Sequence, residues 1–374
     1  LPQIEIEIEI EIEVEVEVEV ESKIEAEIEI EVAEKMKNAS ALVFAMRFPI
    51  CIGLLVIAAC SSPLDPNAPA WRRVEGPAPS PRWGTAAVYD ATNDRMLLFG
   101  GETAQGETNE VWSFDLAKES WARLSTNAGP APRANPSLVL DARRARLITY
   151  GGRTGQITMF ADAWSLDLAT LTWKQLPSGP GAWQRPHFAT NGISAWFYGG
   201  EAFGTVSSDL WQFDFATDIW TQLPTDGDGP GARTCGAFAY HDEGLIMVGG
   251  HADNGQLDGT FRYDLATHRW SKLSPKGKPT AGAHWAYATD EACGRMFLVA
   301  GDHDDHFDTA LSDSLALDGS SFAHVPTSTL PPTRDHASII VDQARRNLIL
   351  FGGGLNDGES YLGDTWVLPL GACP

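Results

Sequence analysis

The chain has 374 residues, of which 50 are acidic and 27 basic, for a formal net charge of −23. An acidic balance of this size works against a nucleic-acid partner, whose phosphates demand a basic face. The balance is uneven: residues 1–35 hold fourteen Glu and two Lys, while from Cys60 onward there are 23 basic and 36 acidic residues.

Residues 4–32 alternate Ile or Val with Glu almost without a break. Strict alternation describes a strand with one apolar and one charged face. A solitary strand of this kind has no partner, and its stacked carboxylates repel. Residues 1–35 therefore read as low-complexity sequence: either a translated upstream repeat outside the real protein or a disordered acidic extension. Residues 36–59 read differently. Met36-Lys37 or Met46-Arg47 opens a basic region, and Phe48 to Ala59 is an apolar run too short to span a bilayer as a helix. That order is the pattern of a secretory signal peptide. Ile57-Ala58-Ala59-Cys60 resembles the bacterial lipobox, which implies that Cys60 is the acylated first residue of a mature lipoprotein; ordinary secretion with cleavage near Ala59 is the alternative. Ser61-Ser62, with no Asp at the second position, resembles the pattern sorted to the outer membrane of a double-membrane bacterium. Residues 60–70, with Pro63, Pro66 and Pro69, would be a short stiff tether.

From Trp71 the chain is periodic. Gly100-Gly101, Gly151-Gly152, Gly199-Gly200, Gly249-Gly250, Ala300-Gly301 and Gly352-Gly353 follow one another at intervals of 51, 48, 50, 51 and 52 residues. Each pair ends a short apolar run such as Met96-Leu97-Leu98-Phe99. An acid-x-apolar motif follows: Glu110-Val111-Trp112, Asp162-Ala163-Trp164, Asp209-Leu210-Trp211, Asp313-Ser314-Leu315 and Asp364-Thr365-Trp366. The fourth copy, Gly259-Thr260-Phe261, lacks the acid. A second large ring comes next, in Trp121, Trp173, Trp220, Trp270 and Phe322. A period near fifty with strand-like runs between turns marks a propeller array.

These repeats resemble kelch motifs, and the chain over 71–374 resembles a six-bladed kelch propeller of the galactose oxidase central-domain type. The expected fold is all-β, with four antiparallel strands per blade. In blade one the strands are expected at Thr85–Asp90, Arg95–Gly101, Val111–Leu116 and Trp121–Leu124. Asp115 begins a tight return by bonding its own backbone, a device repeated at Asp167, Asp214, Asp264 and Asp318. The tryptophans are expected to fill the wedges between blades. Trp71 to Val74 has no preceding three strands and the final copy lacks a fourth, so the N-terminal segment is expected to complete the last blade and remove the open edges.

Three cysteines remain beyond the leader and Cys60. Cys293 lies in the turn between the first two strands of blade five, and Cys373 just past the third strand of blade six. Both belong to one face of the ring, so a Cys293–Cys373 disulfide is expected, in keeping with an exported compartment. Cys235 is expected on an innermost strand as a free thiol.

Candidate binding residues cluster where one blade leads to the next. Pro81-Arg82, Pro132-Arg133, Gln184-Arg185, Ala232-Arg233 and Thr333-Arg334 recur there, and blade five has Gly282 instead. Two residues further on stand Gly84, Asn135, His187, Cys235, His284 and His336. The pattern places Arg82, Arg133, Arg185, Arg233 and Arg334 around the channel mouth with His187, His284 and His336 just inside. Guanidiniums suit carboxylates and other anions, and the resemblance to kelch adaptors carries the arginines to the ligand opening by position. The same arginines can equally tie loop carbonyls together, blade by blade. Glu102, Glu107, Glu201, Asp302, Asp357 and Glu359 can neutralise them or accept sugar hydroxyls.

Asp302-His303-Asp304-Asp305-His306-Phe307-Asp308 has metal-ligand chemistry but no defensible metal-site spacing, and it reads as a solvated polar loop. No cofactor and no metal are expected, and no Ser-His-Asp order or phosphate loop stands out. The expected function is a lipid-anchored, monomeric binding or scaffold protein of the bacterial envelope, at the outer membrane, with a protein or glycan partner. The alternative is a mutarotase- or epimerase-like enzyme for an acidic sugar, with an arginine clamping the carboxylate and a His moving the proton.

Overall fold

The computed structural model describes residues 64–155, 157–252, 255–280, 282–302, 310–355 and 360–373. The acidic repeat, the leader, Cys60, residues 303–309, Asp357 and Glu359 lie outside them.

Six sheets, each with four antiparallel strands, make a closed ring, and the sheet of blade four gains a short parallel strand at Asp226–Gly227. Blade one uses Ala86–Asp90, Arg95–Phe99, Val111–Asp115 and Ser120–Leu124. These bounds fall within two residues of the expected ones. Blades two to five begin at Ser137–Asp141, His187–Thr190, Ala237–His241 and Ala286–Asp290, each followed by three strands in chain order. Blade six takes Ser338–Asp342, Asn347–Phe351 and Thr365–Pro369 from the C-terminal end and Arg72–Val74 from the N-terminal end. Arg72 pairs with Val367, Arg73 with Trp366 and Val74 with Thr365. Trp71 is buried beside them. The closure anticipated from the orphan strand is present, and it leaves no blade short of a strand.

The wedge between blades is filled by one repeated contact. The second strand of a blade ends on a bulky apolar residue, and the ring on the fourth strand of the next blade packs against it. Phe99 meets Trp173 at 5.4 Å between centroids, Tyr150 meets Trp220 at 4.9 Å, and Tyr198 meets Trp270 at 5.4 Å. Phe351 meets Trp121 at 5.0 Å across the closure. Val248 with Phe322, and Val299 with Trp71, share the remaining buried clusters. Each such side chain removes a large apolar area from water, which is why a ring recurs once per repeat.

The glycine pairs have a backbone reason. The amide of the second residue donates to a carbonyl of the next blade, from Arg133, Trp183, Arg233, Gly282, Arg334 and, across the closure, Arg82, at 2.8–3.3 Å. At Gly100 (φ +71°) an added Cβ would sit 2.7 Å from the Arg133 carbonyl oxygen, so the blades approach too closely for a side chain. The aspartate returns form as expected: Asp115 Oδ1 accepts from the amides of Ala117 and Lys118 at 3.1 and 2.8 Å, and Asp167, Asp214 and Asp264 do the same. Asp318 accepts only from Ser320. Cys293 and Cys373 are disulfide-bonded with their Cα atoms 5.2 Å apart, tying the C-terminal segment to blade five.

Between the second and third strands, five blades extend a short hairpin: Glu102–Thr103 with Gly106–Glu107, Arg153–Thr154 with Thr158–Met159, Glu201–Ala202 with Thr205–Val206, His251–Ala252 with Gly255–Gln256, and Gly354–Leu355 with Ser360–Tyr361. The segment entering each innermost strand bridges to the base of that hairpin, as in Trp83 with Glu102 and Gln184 with Glu201. Hairpins and blade entries therefore share one end of the ring.

Candidate functional site

The blade entries place the candidate residues in two different settings. Arg82, Arg133, Arg233 and Arg334 are buried between blades and do not line the channel mouth. Each sits one residue before a bridge to the hairpin base, with its side chain turned into its own blade. Arg133 donates to Asp162 through two nitrogens at 2.7 and 3.1 Å and to the carbonyls of Ala131 and Gly151. Arg334 repeats this with Asp364 at 2.7 and 3.0 Å and the carbonyls of Pro332 and Gly352. Arg82 bonds Glu110 at 2.8 Å, Ser80 and the Gly100 carbonyl. These geometries explain the acid-x-Trp motif. The carboxylate takes the guanidinium on one side and the indole N–H of the Trp two residues on, at 2.7–3.0 Å for Trp112, Trp164 and Trp366.

Arg233 is the informative exception. Its blade lacks the acid, and it bonds only the carbonyls of Gly249 and Pro230, with Phe261 beneath it. Burial without a counter-ion lowers it to about 10.

Arg185 does not belong to this series. The interblade amide bonds make Trp183 the equivalent of Arg82 and Arg133, so Arg185 stands two residues later than the sequence pattern placed it. The interval between glycine pairs shortens to 48 residues at this blade, and residue type alone could not show where the slip fell. Arg185 instead falls in a ring with Gly84, Asn135, Cys235, His284 and His336. All six have left-handed backbones, with φ between 46° and 61°. The amides of Asn135, Arg185, His284, His336 and Gly84 each donate to the carbonyl of the preceding ring member, for example Asn135 to Gly84 at 2.7 Å and His284 to Cys235 at 2.9 Å. A collar of five such backbone hydrogen bonds lines the channel, and its side chains converge on a cavity of about 150 Å³.

His187 lies two residues beyond this collar. Its Nδ1 faces the Tyr198 carbonyl at 3.0 Å, and its Nε2 accepts from the Gly236 amide at 2.6 Å. Both ring nitrogens are used, and burial lowers it to about 4, so it is a neutral brace between blades three and four.

The other two imidazoles meet Cys235. His284 and His336 stack with centroids 4.4 Å apart, and the donor atoms of Cys235, His284 and His336 all lie within 4.8 Å of one another. Arg185 Nη1 is 3.7 Å from the Cys235 sulfur and 3.8 Å from Glu201. Asp302 holds His284 Nδ1 at 2.9 Å. Asp335 Oδ2 is 3.0 Å from His336 Nδ1, but without the alignment of a hydrogen bond, and among the described residues neither nitrogen of this buried ring makes a well-aligned hydrogen bond. Burial alone would push the Cys235 thiol up, yet His284 and Arg185 outweigh it and hold it well below its ordinary value. Burial would lower His284, but the Cys235 thiolate and Asp302 raise it to about 10. Burial, Arg185 and His284 together lower His336 to about 3. The site therefore presents a thiolate beside an imidazolium and a neutral imidazole. The sequence pattern placed His284 and His336 in the channel but left Cys235 as a buried free thiol. Equal spacing from the blade entries was the signal that could have joined all three.

The Glu102 and Glu107 carboxylates are engaged by side chains of the neighbouring hairpins. Arg153 pairs with Glu102 at 2.7 Å and with Glu107 at 3.3 Å, and Tyr361 donates to Glu102 at 3.2 Å. These contacts join the hairpins of blades six, one and two.

A closed ring of six four-stranded sheets, entered through a collar at one end, is a β-propeller. The profile of the KLHDC2/KLHL20/DRC7 Kelch-repeats domain matches residues 63–250 and 128–301, and the chain belongs to the kelch-repeat family. Adagio-like protein 3 of Oryza sativa subsp. japonica is 33% identical over 129 residues, covering 33% of this chain and 20% of that protein. Adagio protein 3 of Arabidopsis thaliana is 32% identical over the same length and coverage. Dynein regulatory complex subunit 7 of Chlamydomonas reinhardtii is 34% identical over 79 residues, 21% of this chain and 7% of that protein. The chain spans a fifth or less of these curated relatives.

Proposed function

We propose that the protein is a lipid-anchored binding or scaffold protein of the bacterial envelope, whose hairpin face receives a protein partner. The carrying observation is the pair of apolar side chains at two neighbouring hairpin tips. Ile157 in blade two and Phe203 in blade three are 78% and 66% exposed. Large apolar groups held out to water on a rigid rim are features of an interaction surface, where burial on binding returns free energy. The rim around them is polar and of mixed charge, with Glu102, Glu107, Arg153 and Glu201 on the adjoining hairpins, as suits the edge of a protein interface. Cys60, Ser61 and the proline-containing tether supply the anchoring part of the reading, with the outer membrane as the expected site.

The acidic-sugar reading has less support. Four of its five arginines are committed inside the blades, and the cavity at Arg185 is smaller than the roughly 300 Å³ at which small-molecule pockets begin. The two readings separate in one experiment. The full chain and its Ile157→Asp/Phe203→Asp variant are expressed with a C-terminal tag, cross-linked in envelope membranes and recovered. A protein partner held by the parent and lost from the double variant is the expected outcome. Identical recoveries would remove the hairpin face from the argument, and loss of membrane association in Cys60→Ala tests the anchor separately.

A further inference from the structure

The channel collar goes beyond that reading. We propose that Cys235, His284 and His336 bind one borderline-soft first-row transition metal ion, zinc or copper, in the central channel. One thiolate and two imidazoles are a donor set that suits both metals. They come from three consecutive blades, so the scaffold and not a flexible loop sets their spacing. Their donor atoms lie within 4.8 Å of one another. Ligands around a tetrahedral zinc stand about 3.3–3.7 Å apart, given bonds of about 2.0–2.3 Å. Small side-chain rotations close the gap.

Two features point the same way. First, among the described residues neither ring nitrogen of the buried His336 makes a well-aligned hydrogen bond, a costly state for a polar group unless something else satisfies it, and the group nearest to meeting it is the Cys235 sulfur. Second, Asp302 holds His284 Nδ1 at 2.9 Å, which leaves Nε2 of His284 as its ligating atom in the carboxylate–histidine–metal arrangement that orients a ligand and raises its basicity.

Arg185, with Nη1 3.7 Å from the Cys235 sulfur, favours an anion or a carboxylate as a further ligand to the ion.

The test uses the full-length chain stripped with a chelator and titrated with cobalt(II), then zinc(II) and copper. The expected result is saturation at one cobalt per chain with a thiolate-to-cobalt charge-transfer band, displaced by zinc. Cys235→Ser should abolish the band, His336→Gln should weaken binding at least 100-fold, and Asp302→Asn should weaken it about 10- to 100-fold as a positioning residue. Circular dichroism of each variant reports whether it folds, and the band in the unaltered chain decides the matter if one does not. Metal content of the protein as purified distinguishes zinc from copper. Absence of a saturating band, or a band that survives in Cys235→Ser, overturns the proposal.

Discussion

Two sets of side chains leave the same short stretch of every blade, two residues apart, and meet opposite fates. Arg133 and Arg334 turn into their own blade, where a carboxylate and two backbone carbonyls take up their donors. Cys235, His284 and His336 turn toward the axis, where they face one another. The first set is satisfied within the fold and reads as a clamp. The second includes a buried imidazole with no well-aligned hydrogen bond among the described residues, so it reads as a site. Whether each polar group has its partner separates the two settings better than residue type does.

The largest effect should come from breaking a clamp. Arg133→Met leaves Asp162 half-buried without its partner and should cost about 3–5 kcal/mol by denaturant unfolding, nearer the lower end because that carboxylate is partly exposed. Arg233→Met strands no acid and should cost clearly less; equal losses would mean that ion pairing is not what the clamp contributes. Next comes the C-terminal staple. Cys373→Ala, or reduction, should lower stability by about 2–4 kcal/mol, and an unchanged melting temperature would show that the tail carries no constraint.

Acid should act on the imidazole brace. The folded value of His187 is lowered from 6.5 to about 4 by burial, so the unfolded chain takes up this proton first. Its contribution is complete above about pH 6.5 and drains away as pH falls toward the folded value, by up to roughly 3 kcal/mol. A flat stability profile between pH 7 and 4 in the parent chain, at ~1 kcal/mol resolution, would contradict the buried neutral assignment. The smallest effect belongs to the rim: Ile157→Asp and Phe203→Asp should each change stability by less than about 0.5 kcal/mol, because both side chains are already in water. A larger loss would mean that the tips pack on the ring.

Much of the fold was legible in the chain because its physics is local and repeated. The glycine pairs, the aspartate returns and one large ring per repeat each reflect a short-range requirement that recurs about every fifty residues. The orphan strand at Trp71 was readable by the same reasoning, since a missing fourth strand leaves an edge that must be covered. The site was legible only in part. His284 and His336 were placed in the channel, but all five arginines were grouped at the channel mouth, where only Arg185 stands; the other four take the alternative role of tying loop carbonyls within the blade.

By itself the sequence determined a ring of six sheets, the place of closure and the pairing of Cys293 with Cys373 as neighbours on one face. Which way a side chain turns at a blade entry was decided only by tertiary structure. A shift of two residues exchanges the inside of a blade for the axis of the ring, and that register is set by amide bonds between neighbouring blades, far apart along the chain.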